Sequence, residues 1–459
     1  MPDTIVALAT PNGRSGIGVI RLSGADSLAI TQKLVDKKIE EFAPRVAYLT
    51  QLFDANSDET IDESIVTYFK APHSFTGEDV VEISCHGSPP VLRQVIDVCL
   101  RSGARLAEPG EFSLRALANG RMDLTEAEAI RDLIDAQTVA SARQAVRQLR
   151  GEFSHELQPL KDDLLDVIVV LESALEFVED DLPEMQAKGV YDKLVVIRDG
   201  IRQIASTYKA GHLIREGLKV AIVGRPNVGK SSLFNAFLGS DRAIVTDIAG
   251  TTRDQLHERL TIKDIPISLI DTAGLRNTND TVEIIGVERS RRVMADADLV
   301  IAMIDASEQL MDEDQEILDS LAHLSHLVVF NKIDKISENE LRNQIAKIQF
   351  VSPREQRHIA ISARTGAGLD ELKEAIVQPF MPNEASSAGF LVSDARHYDL
   401  LNRASSEIEQ SLAELEAGAS EEITLIGLHN ALRYLGQITG ETTTEDMLTR
   451  IFSTFCIGK

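Results

Sequence analysis

The residues with the clearest chemistry lie in Lys219–Ser232, KVAIVGRPNVGKSS. The apolar run Val220 to Val223 stops at Gly224, and Gly224-x-x-x-x-Gly229-Lys230-Ser231 then opens a helical pattern through Leu233, Phe234, Phe237 and Leu238. Glycines without side chains let bare N–H groups curl around a polyphosphate. Lys230 would reach the β- and γ-phosphates, the Ser231 hydroxyl would bind Mg²⁺, and the helix N-terminus would add a field favouring anions. Asn227, Val228, Gly229, Lys230, Ser231 and Ser232 form the candidate phosphate-binding set. A chance match at average composition arises in roughly one or two such chains in a hundred, and the strand-then-helix context makes chance rarer.

Three short signatures follow: Asp271-Thr272-Ala273-Gly274, Asn331-Lys332-Ile333-Asp334 and Ser362-Ala363-Arg364. Each follows a β-like apolar run (ISLI, LVVF, HIAI). A carboxylate at Asp271 can hold Mg²⁺ through water, and Gly274 lets the backbone approach a γ-phosphate. Asp334 offers two acceptor oxygens to guanine's N1–H and 2-amino donors, whereas adenine's N1 is itself an acceptor. A buried carboxylate left unpaired is costly, which is how such a site rejects ATP. Between the phosphate loop and Asp271 lies Thr246-Asp247-Ile248-Ala249-Gly250-Thr251-Thr252, whose glycine and hydroxyls suit a switch that wraps a γ-phosphate. Any one tetrapeptide is weak; together, in this order, they point to GTP binding and hydrolysis.

The residue after Gly274 is Leu275, where many GTPases carry a glutamine that orients the attacking water. Leucine cannot hydrogen-bond water, so another group must act. Arg276, Asp280 and Glu283 follow, with Glu283 opening a helical pattern over Ile284–Met294. By residue type alone, Glu283 is either a solvated helix-start carboxylate or the missing catalytic group.

A chain of 459 residues implies two to four domains with ample core. The composition, 43% hydrophobic and 26% charged, is that of a soluble globular protein. Net charge of −25 excludes gripping nucleic acid by bulk charge. An RNA contact must come from a local basic patch, a recognised base or a partner protein. Cys85, Cys99 and Cys456 have no paired spacing, which suits a reducing, cytoplasmic compartment. The N-terminal residues lack a signal-peptide pattern, and no apolar run approaches the ~18 residues of a membrane span, so no membrane association is expected.

The expected fold class is α/β plus all-α. Residues 1–118 read as an α/β unit, with the β-like runs TIVALAT, GVIRLSG, SIVTYF and DVVEIS and a helix near Val91–Leu100. Residues 119–215 turn helical: Leu157, Leu160, Leu164, Val167, Ile168 and Leu171 step by three and four, and a further helix covers Tyr191–Lys209. Residues 216–378 alternate β and α as a doubly wound, mostly parallel sheet would. Residues 379–459 return to helix through Leu401, Ala404, Ile408 and Leu412, then Leu425, Leu428, Leu432 and Leu435, with Thr442-x-x-Glu445 as a helix start. This order implies one helical domain in two segments with a nucleotide-binding domain inserted, and Asn383–Gly389 as linker.

Through GRPNVGKSS, TDIAGTTRD, DTAGLR, SFTGEDVVEISCHG, PGEFSLRALANGRMDL and the terminal FCIGK, the chain from Thr4 to Lys459 closely resembles the MnmE/TrmE family of tRNA-modification GTPases. The resemblance implies an N-terminal folate-binding-like domain that dimerises, a helical domain and an inserted Ras-like G domain. It implies GTP hydrolysis stimulated by potassium, with Asn227, Thr246, Ile248 and Thr251 as potassium ligands and Ser231 and Thr252 on Mg²⁺. A cation beside the γ-phosphate could supply the charge of an arginine finger, an effect of roughly 10³–10⁵ in rate. Glu283 matches the family's water-orienting residue. Arg21, Glu82, Arg121 and Lys459 match positions that bind 5-formyl- or 5,10-methylene-tetrahydrofolate; a carboxylate suits pterin donors and arginines suit a glutamate tail. From residue types alone these are an edge-strand arginine, a solvated glutamate, a helix-start arginine and a frayed tail. The implied activity, as a homodimer with the FAD-containing partner MnmG in a heterotetramer or larger complex, is addition of a carboxymethylaminomethyl or aminomethyl group to C5 of the wobble uridine of certain tRNAs. A second reading is a GTP-switched RNA-binding or ribosome-assembly factor, which predicts a basic appendage; the flanking helices are instead acidic. Cys85 and Cys99 read as core thiols and His86 as a turn residue.

Overall fold

Apolar residues along two sets of strands, alternating in the first and nearly continuous in the second, build two sheets, each the centre of its own α/β layer. The computed structural model describes residues 3–35, 42–54, 59–176, 184–240, 257–263, 265–271, 297–351, 358–380 and 389–458. Two compact units emerge: Met1–Asp135 with Ala145–Ile201 and Leu400–Lys459, and Ala136–Gln144 with Arg202–Asp399.

In the first unit six strands, β1 (Ile5–Leu8), β2 (Ser15–Ser23), β3 (Ala47–Asp54), β4 (Glu59–Phe69), β5 (Val80–Gly87) and β6 (Arg105–Leu106), stand in the order β3-β4-β5-β2-β1-β6. All neighbours are antiparallel except β1 and β6. The period-2 pleat sends Ile20, Leu22, Val81, Ile83 and Cys85 inward against helix Pro89–Arg101, whose Leu92, Val95, Val98 and Cys99 complete the core. Arg21 therefore faces the other way, opposite Glu82 in register. The sequence pattern missed β3 and β6, whose mixed polar composition hides their alternation. His86 sits in β5, not in a turn, with its Nδ1 2.8 Å from Asp62 Oδ1.

Helices Glu152–Glu176 and Glu421–Thr439 pack together through the expected stripes, with Leu157, Leu164, Ile168, Leu171, Leu428 and Leu435 buried. Helix Glu445–Phe452 begins after Thr444, not at Thr442, because the Thr442 hydroxyl donates instead to the Arg433 carbonyl (3.0 Å) in the preceding helix. The chain just before its last four residues is docked, with Phe452 and Phe455 buried among Leu124 and Ala127; of those four, Gly458 lies against Leu8 while Cys456 and Ile457 are exposed.

The second unit is built on β7 (Leu218–Val223), β8 (His257–Ile262), β9 (Ile265–Asp271), β10 (Leu299–Asp305), β11 (His326–Asn331) and β12 (His358–Ala360), ordered β12-β11-β10-β7-β9-β8. Every pairing is parallel except β8 with β9. Val220, Ile222, Ile301 and Met303 feed one core and Ala221, Val223, Val300 and Ala302 the other, so the sheet is covered on both faces. That explains why its strands read as unbroken apolar runs. The single helix expected over Tyr191–Lys209 breaks at Thr207, whose hydroxyl donates to the Ile204 carbonyl (2.7 Å) and accepts the Val392 N–H (3.0 Å). Nearby, Arg215 Nη1 pairs with Asp394 Oδ2 at 2.6 Å and Tyr208 stacks on Tyr398. The segments that enter and leave this unit are thus fastened to each other.

Candidate functional site

β7 ends at Val223, and the chain turns through Gly224, Asn227 and Gly229, all at positive φ, into helix Lys230–Ser240. The curl is enforced by contacts. A Cβ at Gly224 would stand 2.5 Å from the Met303 carbonyl, and one at Gly229 2.2 Å from Asn331 Nδ2. Lys230 Nζ folds over the loop, 2.8 and 2.7 Å from the carbonyls of Gly224 and Arg225. Ser231 and Ser232 are exposed on the first turn of the helix, and Asn227 is exposed in the loop.

Asn331, buried at the end of β11, joins two of the predicted signatures. Its Nδ2 donates to the Val228 carbonyl at 2.8 Å and its Oδ1 accepts the Ala363 N–H at 3.0 Å. Lys332 adopts positive φ and its Nζ lies 2.5 Å from Asp305 Oδ2. Burial works to raise the Asp305 carboxyl, but the Lys332 ammonium and two Ser307 hydrogen bonds outweigh it and hold the group below its usual value. The Ser362 hydroxyl donates to Asp334 Oδ1 at 2.7 Å; that bond, with Arg364 nearby, depresses the Asp334 carboxyl. Asp334 is ionised at neutral pH and acts as an acceptor pair. It is exposed, so the burial expected around it has to come from the base it reads. Ile333 and Ala363 are half-buried beside these groups. Asp271 ends β9 in register with Ile222.

Thr246–Thr252, Thr272–Gly274, Leu275, Glu283 and Lys459 lie outside the described residues, as does most of the linker.

On the outward face of the first sheet, Arg21 Nε and Nη2 donate to Glu82 Oε1 at 3.0 and 2.7 Å. The guanidinium lies 5.5 Å from the Phe75 ring centre and 5.8 Å from that of Phe112. Its Nη1 is 3.4 Å from the carbonyl of Gly458, which brings the C-terminal tail to this pair. Gly458 has φ +96, and a Cβ there would meet the Leu8 carbonyl at 2.4 Å. Arg121 is exposed, its Cγ 3.1 Å from the Cβ position of Gly77, and it has no hydrogen bond to the Arg21–Glu82 pair among the described residues.

Sequence reasoning missed the supports. Arg115, 1% exposed, binds Glu111, Glu78 and Asp3 at 2.9–3.0 Å, and Arg105 joins the network through Glu111 and Asp3. The i, i+4 spacing of Glu111 and Arg115 was the only available signal. Arg225 pairs with Asp314, 89 residues away, and nothing local announces it.

The family description "GTP-binding protein TrmE N-terminus" matches residues 4–121, and "MnmE helical domain" matches residues 124–456. A protein of Aquifex aeolicus named tRNA modification GTPase MnmE is 45% identical over 460 residues, covering 100% of both chains. Proteins of the same name from Koribacter versatilis (42%, 100% of both chains) and Ligilactobacillus salivarius (41%, 100% of this chain and 98% of that one) are similar. A crystal structure of Aquifex aeolicus Era bound to GDP·AlF4⁻ shares 31% identity over 41% of this chain and 66% of that chain, with a TM-score of 0.31. Matched over its full length at these identities, the chain belongs to the MnmE/TrmE family, with an N-terminal α/β domain, a helical domain and a GTP-hydrolysing domain.

Proposed function

We propose that this enzyme hydrolyses GTP under stimulation by potassium and, as a homodimer with an FAD-containing MnmG partner, adds a carboxymethylaminomethyl or aminomethyl group to the wobble uridine of tRNA. The observation that carries the reading is the convergence on Asn331, whose single amide ties the phosphate loop to the base-reading loop. The domain partition proposed is 1–118, 119–215, 216–378 and 379–459, with both helical segments in one domain.

The residues present fit the groups the family implies. Exposed Asn227 in a left-handed turn can offer its side-chain oxygen to potassium, with Thr246, Ile248 and Thr251 completing the set. Ser231, exposed at the start of its helix, is one Mg²⁺ ligand, and Thr252 the other. When bound, the two cations neutralise charge that develops on the phosphates. Lys230 and the loop N–H groups hold the phosphates, Asp334 and Ser362 the base, and Glu283 orients the attacking water in place of Leu275. Glu82 keeps Oε2 without a hydrogen bond among the described residues, so it can accept from the amino and N–H donors of a pterin. Arg21, Arg121 and Lys459 supply positive charge for a glutamate tail. Bound tetrahydrofolate would supply a one-carbon unit; GTP hydrolysis would drive closure rather than that chemistry.

The test is GTP turnover in equal concentrations of potassium and sodium. The proposal expects at least a roughly tenfold advantage in potassium, lost in Glu283→Ala. Equal, slow rates in both salts contradict it. The alternative, a ribosome-assembly factor, would be favoured by tight rRNA binding together with no affinity for tetrahydrofolate.

A further inference from the structure

The phosphate loop is fastened at a point its own motif does not specify. Arg225 is the second residue of the loop, and its side chain is only 9% exposed. Its Nε donates to Asp314 Oδ1 at 2.8 Å, its Nη2 to Glu308 Oε2 at 3.2 Å, and its Nη1 lies 3.2 Å from Met311 Sδ. Asp314, 1% exposed, also accepts the Met311 N–H at 3.1 Å as it starts helix Asp312–Ser320. The main-chain carbonyl of Arg225 is the one 2.7 Å from Lys230 Nζ. The side chain therefore fixes the peptide that orients the phosphate lysine.

The same short segment holds the base-reading loop. Asp305 ends β10 opposite Asn331 and holds Lys332, while Ser307 donates its N–H and hydroxyl to Asp305 Oδ1. Gln344 Nε2 ties the segment down through the carbonyls of Ala306 (3.0 Å) and Glu308 (2.6 Å). Residues 305–314 thus form one brace with an attachment to each half of the nucleotide site.

We propose that Arg225 is a positioning residue for nucleotide binding, which locks the phosphate loop, through Asp314 and Glu308, to the segment that fixes Lys332. The two loops then set each other's geometry. Loss of either attachment lets both drift, and a displacement of an ångström is enough to matter. Because the Arg225 guanidinium is taken up by Asp314, Glu308 and Met311, it acts through the loop it holds, and the effect falls on binding rather than on the hydrolytic step.

The experiment uses the full-length protein, a fluorescent N-methylanthraniloyl-GDP probe and steady-state GTP hydrolysis. Arg225→Met keeps the apolar stem and removes the fork. It should raise KM and speed GDP release by about tenfold while kcat stays within roughly threefold, and Arg225→Lys should recover part of the loss. Asp305→Asn should act in the same direction, and the double variant Arg225→Met/Asp305→Asn should be less than additive because both release one brace. A folded Arg225→Met with unchanged KM and GDP release overturns the proposal, as does a loss confined to kcat or strict additivity in the double variant. If Arg225→Met does not fold, Glu308→Gln decides, since Glu308 is half exposed. A two- to fourfold rise in GDP release supports the brace, and no change overturns it.

Discussion

At the scale of single residues, the site is a matter of donors and acceptors counted one by one. Asn331 has two partners in two different loops, so Asn331→Ala removes two buried hydrogen bonds and leaves the Val228 carbonyl and Ala363 N–H without them. A loss of about 2–3 kcal/mol in unfolding free energy and a raised KM for GTP are expected from denaturant titration and steady-state kinetics. An unchanged denaturation midpoint would show that the loops do not lean on this amide. Residue types made these positions legible because phosphate and guanine each demand a particular donor or acceptor. Arg225, Asp305 and Asp314 were illegible for the opposite reason: their ion-pair partners are remote in sequence, and an arginine in a loop has no default role.

At the scale of elements, the segments that enter and leave the sheet unit are joined by the ion pair of Arg215 and Asp394. Burial opposes the Asp394 carboxylate, but His397, Arg215 and the Arg396 N–H outweigh that and hold it well below the usual carboxylate range. A depressed folded value stabilises the protein above the unfolded pKa near 3.9, and that stabilisation is lost as pH falls through the folded one. Asp394→Asn should therefore cost roughly 2–4 kcal/mol at pH 7, the cost of breaking a largely buried pair, and progressively less below pH 4. Calorimetric melting at pH 7 and pH 3 checks the sign; a difference that grows in acid contradicts it. The C-terminal segment makes a second case. Phe455→Ala should cost about 3 kcal/mol in the packing of Phe455 on Phe452 and Leu124. The tail should then become sensitive to limited proteolysis, and protection equal to wild type would count against the docking. Helix periods and parallel-strand runs were readable because burial repeats along them. The docked tail was not, since its stabilising partners lie hundreds of residues upstream.

At the scale of the molecule, a net charge of −25 decides how RNA is met. Few phosphates can be neutralised by so acidic a surface, so tRNA affinity measured between 50 and 200 mM salt should show a log–log slope shallower than about −3. A slope of −6 or steeper would reveal a basic surface that composition conceals. The order of segments, with a βα-alternating stretch between two helical ones, announced the architecture because each class carries its own hydrophobic period. The break at Thr207 and the late start after Thr444 escaped, since in both places a threonine hydroxyl redirects backbone hydrogen bonds without altering that period.

The central claim is that the loops ending β7, β11 and β12 assemble one guanine-reading site. Its most direct test exchanges the acceptor pair at Asp334 for an amide, Asp334→Asn, and compares kcat/KM for GTP and for xanthosine triphosphate. Xanthine presents a carbonyl where guanine has its 2-amino group. The account predicts that the variant loses GTP hydrolysis by roughly 100-fold and gains xanthosine triphosphate until the preference reverses. Undiminished GTP hydrolysis with no gain on xanthosine triphosphate would contradict it.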